Sequence, residues 1–183
     1  VSDIRSGLLR NVQALQALQV RSQGLPDRWA IEAAAMLHER RELLRIEWRD
    51  RGFGTLGQVD TPYRAPLFDR LGRSNALPDI QLACTNARRA SGPAYSSSYF
   101  VPQADGLGLE VMELCLPITY GGAESGYLVA TYSLSEMLTE LVGRQLARNQ
   151  DVMFTEADGT RLAFAAPPLK KGGPLPEADV ALI

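Results

Sequence analysis

Histidine and cysteine are scarce in this chain of 183 residues, which has one histidine and two cysteines. A transition-metal site needs about four such ligands, and a serine or cysteine nucleophile needs a neighbouring base. No phosphate-binding Walker loop and no dinucleotide-binding fingerprint occurs in the sequence. We therefore predict no metal site, no cofactor and no enzymatic activity. An enzyme fragment that relies on scattered carboxylates is the least favoured hypothesis.

Long apolar runs and an excess of basic residues are also absent. No stretch of about 18 apolar residues could cross a bilayer, and the first residues do not form a signal peptide. The formal net charge is -2 and the basic residues are dispersed, which disfavours a nucleic-acid surface. With 45% hydrophobic residues the chain can bury one sizeable core. It begins at Val1 and stops in mid-pattern, so we expect it to be part of a longer protein.

The two cysteines allow two arrangements. Cys84 lies on a predicted helix and Cys115 on a predicted strand, so a disulfide requires that helix to pack over that strand. Two separate, inert thiols in the core are the alternative. The sequence alone leaves both open.

Two helices are predicted at the start of the chain. Apolar residues recur at helical spacing in the first one, at Ile4, Leu8, Val12, Leu15 and Leu18. This narrow stripe in Gln-rich surroundings fits a helix that pairs with a twin in a homodimer, and equally a helix that covers its own core. The sequence Gly24-Leu25-Pro26 ends the first helix, and Pro26 begins the second.

A hairpin, a loop and a third helix are predicted next. Strand residues from Leu43 to Asp50 alternate between apolar and charged, and a weaker strand from Gly54 to Val59 follows a turn. The stretch from Asp60 to Pro78 has the length and composition of a lid loop. A helix capped by Asp79 then ends at Arg88-Arg89.

The stretch from Ala94 to Leu141 is predicted to form three consecutive strands and a helix. The strands are Ala94 to Val101, Leu109 to Tyr120 and Gly126 to Ser133, separated by glycine-rich turns. Together with the first hairpin they predict an α+β fold in which helices flank a five-stranded antiparallel sheet. After Gly143 a further hairpin is predicted, with strands Asp151 to Glu156 and Arg161 to Ala165.

Three segments of the central stretch carry a resemblance to a known family. The sequences PAYSSSYFVP, GLEVMELCLPI and GYLVATYSL resemble the periplasmic regions of sensor histidine kinases in the four-carbon dicarboxylate family. The order of helices and strands from Leu8 to Leu141 resembles PAS-like Cache (PDC) sensor domains.

The resemblance implies a domain organisation and a function. It implies a long N-terminal helix (1–25), a PAS-like ligand-binding, membrane-distal Cache domain (26–143) and the incomplete start of a membrane-proximal Cache unit (144–183). It also implies a periplasmic module, anchored by membrane helices outside this chain, that binds a small organic acid and signals to a histidine kinase. The ligand-binding domain of a chemoreceptor is an alternative. A dimerising module whose pocket is filled by its own side chains is another.

A site for a small acid needs a fixed cation and several hydroxyl donors. Alternation along the first central strand predicts that Tyr95, Ser97 and Tyr99 share one face. In amino-acid-binding Cache domains the last strand presents an aspartate to the ligand's ammonium group, and the resemblance places Thr131 at that position, which favours an acid. The predicted ligand-binding residues are Arg88, Tyr95, Ser97, Tyr99, Thr131 and Arg64.

Several of these residues have a structural alternative. Arg88 or Arg89 could face water at the helix end, where the dipole favours cations. Arg64 could be a solvated loop charge. Glu113 would repel an anionic ligand, so we predict that it forms a structural ion pair with an arginine. His38 is predicted to lie at the surface.

Overall fold

The computed structural model describes residues 2–64, 73–103, 108–120, 123–142 and 152–165. Four helices and eight strands lie within these ranges. In chain order they are α1 Ser2–Ser22, α2 Pro26–Glu39, β1 Leu43–Arg49, β2 Thr55–Asp60, α3 Arg73–Ala90, β3 Ala94–Tyr95, β4 Tyr99–Pro102, β5 Gly108–Tyr120, β6 Ala123–Ser133, α4 Leu134–Leu141, β7 Val152–Thr155 and β8 Arg161–Ala165. None of the described helices is both long enough and apolar enough to cross a membrane.

The main sheet is antiparallel, with strand order β2-β1-β6-β5-β3 and with β4 also paired to β5. The predicted α+β architecture is confirmed. The first strand of the central stretch, predicted as continuous, consists of two short segments that pair with different parts of β5. The five predicted strands are therefore six in the structure.

Helices α1 and α2 cover one face of this sheet. Alternate residues of β5, such as Leu114 and Leu116, face these helices and belong to the main core. The predicted apolar stripe of α1, from Ile4 to Leu18, is buried in the same core. The stripe therefore serves the chain's own fold, and a dimer contact through α1 has to use another face of the helix.

Helix α3 covers the opposite face of the sheet. Its residues Ile80, Ala83 and Ala87 pack with Val129 and Tyr127 of β6 in a second core. The prediction that Asp79 begins this helix is wrong, because α3 begins at Arg73 and contains Pro78. Of the predicted lid loop, residues 65–72, including Ala65 and Pro66, lie outside the described part of the chain.

The last described elements continue the main core. The Ser133 hydroxyl caps α4 by accepting a hydrogen bond from the Glu136 backbone N–H at 3.3 Å. Strands β7 and β8 form the predicted second hairpin, which packs against α4, and Ala163 of β8 is buried in the main core. This hairpin is therefore joined to the main sheet through α4.

Candidate functional site

A buried group of charged and hydroxyl side chains lies between the sheet and α3. We call it the Glu113 cluster, and its members are Glu47 and Arg49 of β1, Arg73 of α3, Tyr99 of β4, Glu113 of β5 and Thr131 of β6. The register places Glu113 directly opposite Thr131, and Thr131 directly opposite Arg45. Directly opposed residues point to the same side of a sheet, so these strands present their polar side chains to α3.

Glu113 is the centre of the hydrogen bonds in this cluster. The Tyr99 hydroxyl donates to Glu113 Oε1 at 2.5 Å, and the Thr131 hydroxyl donates to Glu113 Oε2 at 2.7 Å. The Arg73 guanidinium donates to Glu47 through Nη2, and the same nitrogen lies 3.6 Å from Glu113 Oε1. One guanidinium is thus shared by two carboxylates.

Arg49 provides the second positive charge. Its Nη2 donates to Glu47 Oε1 at 2.9 Å, and its Nη1 donates to the Phe53 carbonyl oxygen at 2.7 Å. The two carboxylates, Glu47 and Glu113, are therefore balanced by two guanidiniums. Such balance is required here because both carboxylates are almost completely buried, with 1% and 0% of their surfaces exposed.

The protonation states of the cluster follow from this burial. Burial raises the pKa of Tyr99, and the adjacent Glu113 charge and its hydrogen bond raise it further. Burial lowers the pKa of Arg73, but the charges of Glu113 and Glu47 outweigh that effect and raise it. Tyr99 therefore remains a neutral donor and Arg73 a cation over the physiological pH range.

A further ion pair extends the polar row toward the edge of the sheet. Arg45 Nε donates to Asp60 Oδ1 at 2.5 Å, and Nη2 donates to Oδ2 at 2.9 Å. Arg45 and Asp60 are cross-strand partners, so a charged row runs from β5 through β6 and β1 to β2. This bidentate pair neutralises both of its members.

Two of the predicted ligand-binding residues, Tyr99 and Thr131, meet in the Glu113 cluster, whereas Tyr95 and Ser97 do not. Tyr95 packs against the main core on the α1 side of the sheet, and Ser97 is exposed. The prediction that Tyr95, Ser97 and Tyr99 share one face is therefore wrong.

The reason is a break in the strand between β3 and β4. Tyr95 pairs with Leu114 and Tyr99 pairs with Val111. The segment from β3 to β4 therefore advances four residues where β5 advances three, so it contains one extra residue. Ser96 fills the gap: its backbone N–H donates to the Glu113 carbonyl at 2.9 Å, and its hydroxyl accepts from the Glu113 N–H at 3.0 Å. The extra residue reverses the alternation and places the two tyrosines on opposite faces.

The two predicted arginines lie elsewhere. Arg88 is exposed in the last turn of α3, about 22 Å along the helix axis from Arg73. Arg64 lies 3.4 Å from Glu136 and lines a surface cleft of about 160 Å³ with Arg41, Leu44, Thr61 and Tyr63. The Arg41 guanidinium stacks over the Tyr63 ring at 4.1 Å, and the Tyr63 hydroxyl donates to the backbone carbonyl of His38, which is exposed as predicted.

Arg73 and Glu47 were missed by the sequence analysis. Arg73 falls on the buried stripe of α3, since Ala76, Ile80 and Ala83 follow it at helical spacing. An arginine on such a stripe was the available signal, but Pro78 made the preceding residues look like loop. Glu47 lies between Arg45 and Arg49 on the charged side of the strand, a pattern that is also typical of a strand with one side facing solvent.

A disulfide fixes α3 over the cluster. Cys84 of α3 is bonded to Cys115 of β5, with a Cα–Cα distance of 5.2 Å, and Cys115 lies two residues from Glu113. Both cysteines are buried. The structure thus decides between the two arrangements that the sequence left open.

The fold is that of ligand-binding domains of bacterial chemoreceptors. The domain of Tlp3 from Campylobacter jejuni in complex with L-norvaline matches with a TM-score of 0.57 and 13% identity, covering 92% of this chain and 68% of that one. The domain of PctC from Pseudomonas aeruginosa in complex with GABA matches at 0.50 and 17%, covering 88% and 68%. The domain of CtaA from Pseudomonas fluorescens in complex with L-serine also matches at 0.50, with 16% identity and coverages of 88% and 66%. The chain matches no family model and no curated protein.

Proposed function

We propose that this chain is the extracytoplasmic ligand-sensing domain of a membrane-anchored bacterial receptor, and that the Glu113 cluster contacts the ligand. The observation that carries the proposal is the convergence of Tyr99, Thr131 and Arg73 on one buried carboxylate from three separate elements. Buried ionic groups of this kind add little to stability compared with apolar packing, which favours a role in recognition. The receptor would be a two-component sensor histidine kinase, as the sequence resemblance implies, or a chemoreceptor, as the fold comparison favours.

A periplasmic location is part of this proposal. The Cys84–Cys115 disulfide supports it, because such bonds persist in oxidising compartments and are rare in the reducing cytosol. The membrane anchor and the output domain would lie in parts of the protein outside this chain.

The position of Glu113 bears on the chemical class of the ligand. A four-carbon dicarboxylate was favoured because Thr131 replaces a carboxylate that amino-acid sensors present to an ammonium group. In the structure a carboxylate oxygen of Glu113 lies 2.7 Å from the Thr131 hydroxyl, so β5 provides the charge that β6 lacks. That premise therefore does not exclude amino compounds. A small organic acid would have to bind through Arg73, which Glu47 and Glu113 already share.

A thermal-shift screen of organic acids, amino acids and amines tests the proposal. A compound at one hundred times its dissociation constant stabilises the folded state by about 2.7 kcal/mol. We expect Tyr99→Phe and Thr131→Val to weaken the shift caused by an active compound. The matched control is Thr85→Val, which removes an exposed hydroxyl from α3. A ligand-induced shift that is the same in all three variants and the wild type would place the ligand elsewhere.

The alternative of a sensor without a small-molecule ligand is favoured by one observation. On the face that α3 covers, Glu113 already contacts Tyr99 and Arg73 of its own chain. Arg73 is in turn hydrogen-bonded to Glu47. Such a module would respond to a protein partner or to the state of the membrane. It predicts that no compound in the screen changes the melting temperature.

A homodimer through α1 is compatible with both of these functions. Because Ile4 to Leu18 is buried, the dimer would use the outer face of α1, where Leu9 and Val20 are 57% and 76% exposed and uncharged Gln13 and Gln16 lie between them. We expect Leu9→Glu to shift the sedimentation equilibrium toward monomer, whereas Ala34→Glu on the exposed side of α2 leaves it unchanged. Equal behaviour of the two variants would rule out this surface.

A further inference from the structure

Arg73 is the one positively charged member of the Glu113 cluster that comes from outside the sheet. Glu47, Arg49 and Glu113 belong to paired strands, whereas Arg73 is the first residue of α3. Its guanidinium lies between two carboxylates of different strands, donating to Glu47 and standing 3.6 Å from Glu113. The cation that lies between the two carboxylates is thus a planar, singly charged guanidinium at the N-terminal end of α3.

The charges of the cluster require a cation at this position. Without Arg73, Glu47 would keep its contact with Arg49, and among the members of the cluster Glu113 would keep the neutral donors Tyr99 and Thr131. The remaining group would then have two carboxylates and one guanidinium in a buried environment. A buried uncompensated carboxylate is strongly unfavourable, so this space attracts another cation and disfavours an anion.

The construction of α3 separates its first turn from the rest of the helix. Pro78 has no N–H, so the carbonyl of Ser74 loses its normal helical hydrogen bond. Farther along, the disulfide at Cys84 anchors the helix to β5. Pro78 therefore separates the turn that bears Arg73 from the part of α3 that the disulfide anchors, so that turn can move while the anchored part stays in place.

We propose that the ligand carries a primary amine or a guanidinium group, and that this cationic group replaces the Arg73 side chain between Glu47 and Glu113. The inference rests on the proposed sensing function and specifies its ligand class. In the ligand-free state Arg73 fills the site as an internal competitor. Binding releases it, and the first turn of α3 moves with it, which couples occupancy to a conformational change.

The test compares three four-carbon compounds of different charge, putrescine, γ-aminobutyrate and succinate, on the wild type and on Arg73→Ala. Calorimetric titration should show the two amino compounds binding Arg73→Ala about tenfold more tightly than the wild type, because the internal competitor is gone. Methylguanidinium should also raise the melting temperature of Arg73→Ala in a saturable manner. The control is Arg89→Ala, which removes an exposed arginine at the other end of α3 and should behave like the wild type.

Each outcome separates this inference from the proposed function. If succinate stabilises the wild type and loses its effect in Arg73→Ala, the sensing function stands and the cationic ligand class is wrong. If no compound binds either protein, the inference fails together with small-molecule sensing. Should Arg73→Ala not fold, Glu113→Gln replaces it, and amine binding must then be lost while any succinate binding persists or improves.

Discussion

The hydroxyl of Thr131 donates a 2.7 Å hydrogen bond to Glu113 across the β5–β6 ladder, where the two residues are direct partners. From the sequence alone, Thr131 is expected to replace a carboxylate and Glu113 to repel an anionic ligand, with no sign that the two residues meet. Their pairing places a carboxylate beside Thr131, on the neighbouring strand and on the same face of the sheet. The ion pair predicted between Glu113 and an arginine is present, and the arginine is Arg73.

We predict that Glu113→Gln lowers the free energy of unfolding by about 3 kcal/mol, because it leaves the buried guanidiniums with one carboxylate too few. The amide can still accept a hydrogen bond, but its NH₂ group faces the Tyr99 or Thr131 hydroxyl. Urea unfolding followed by circular dichroism measures the loss. Glu140→Gln, on the exposed side of α4, is the control and should change stability by less than about 0.5 kcal/mol. Equal stabilities of the two variants would contradict a stabilising role of the Glu113 carboxylate in the cluster.

The overall fold could be predicted because its signals are local and repeated. The buried stripe of α1, the alternation along β5 and the glycine-rich turns each indicate one type of element, and they agree with one another. The covering of one sheet face by α1 and α2 follows from the same apolar positions.

The candidate site was only partly predictable, because it depends on two irregular features. The break around Ser96 reverses the alternation that placed Tyr95 beside Tyr99. The continuation of α3 through Pro78 brings Arg73 against the carboxylates of the sheet, and tertiary packing here overrides the usual effect of a proline. A bulge and a proline-containing helix are decided by long-range contacts, which a single sequence does not display.

The disulfide provides a second prediction. It closes a loop with a sequence separation of 31, and the chain-entropy model assigns about 3.7 kcal/mol to a loop of this length. We expect the Cys84→Ala/Cys115→Ala variant to lose stability of this order in urea unfolding. Dithiothreitol should destabilise the wild type and leave the double variant unchanged. A wild type insensitive to reduction after complete unfolding and refolding would contradict this contribution.

A third prediction concerns Gly126 of β6, which pairs with Ile118 of β5 and directly precedes Tyr127, the partner of Arg49 in β1. Its φ is +142°, and a Cβ atom there would lie 2.1 Å from the Arg49 carbonyl oxygen. Gly126→Ala must therefore push β6 away from β1 at the position of a cluster residue, and we expect a loss of about 3 kcal/mol or more. Gly52→Ala is the control, since its Cβ would come no closer than 3.4 Å to Asp50 Oδ1. Similar melting temperatures for the two variants would contradict the close approach of the strands.

The fourth prediction is a loss of stability at alkaline pH. Burial raises the pKa of Tyr95 to about 12, whereas a tyrosine in the unfolded chain titrates near 10. Between these values the unfolded state releases the proton and the folded state retains it, so stability is complete below about pH 10 and falls as the pH rises toward 12. Burial also raises the pKa of Tyr132 and Tyr99, which adds to the same trend.

Melting temperatures measured between neutral pH and pH 12 for the wild type and Tyr95→Phe check this fourth prediction. Phenylalanine keeps the packing of Tyr95 against the main core and removes the ionisable hydroxyl, so the variant should lose less stability over the alkaline range. Below about pH 9 the melting temperatures of the two proteins should change with pH in nearly the same way, because Tyr95 is protonated in both the folded and the unfolded state. Parallel curves throughout the alkaline range would show that the Tyr95 hydroxyl is accessible to solvent in the folded protein.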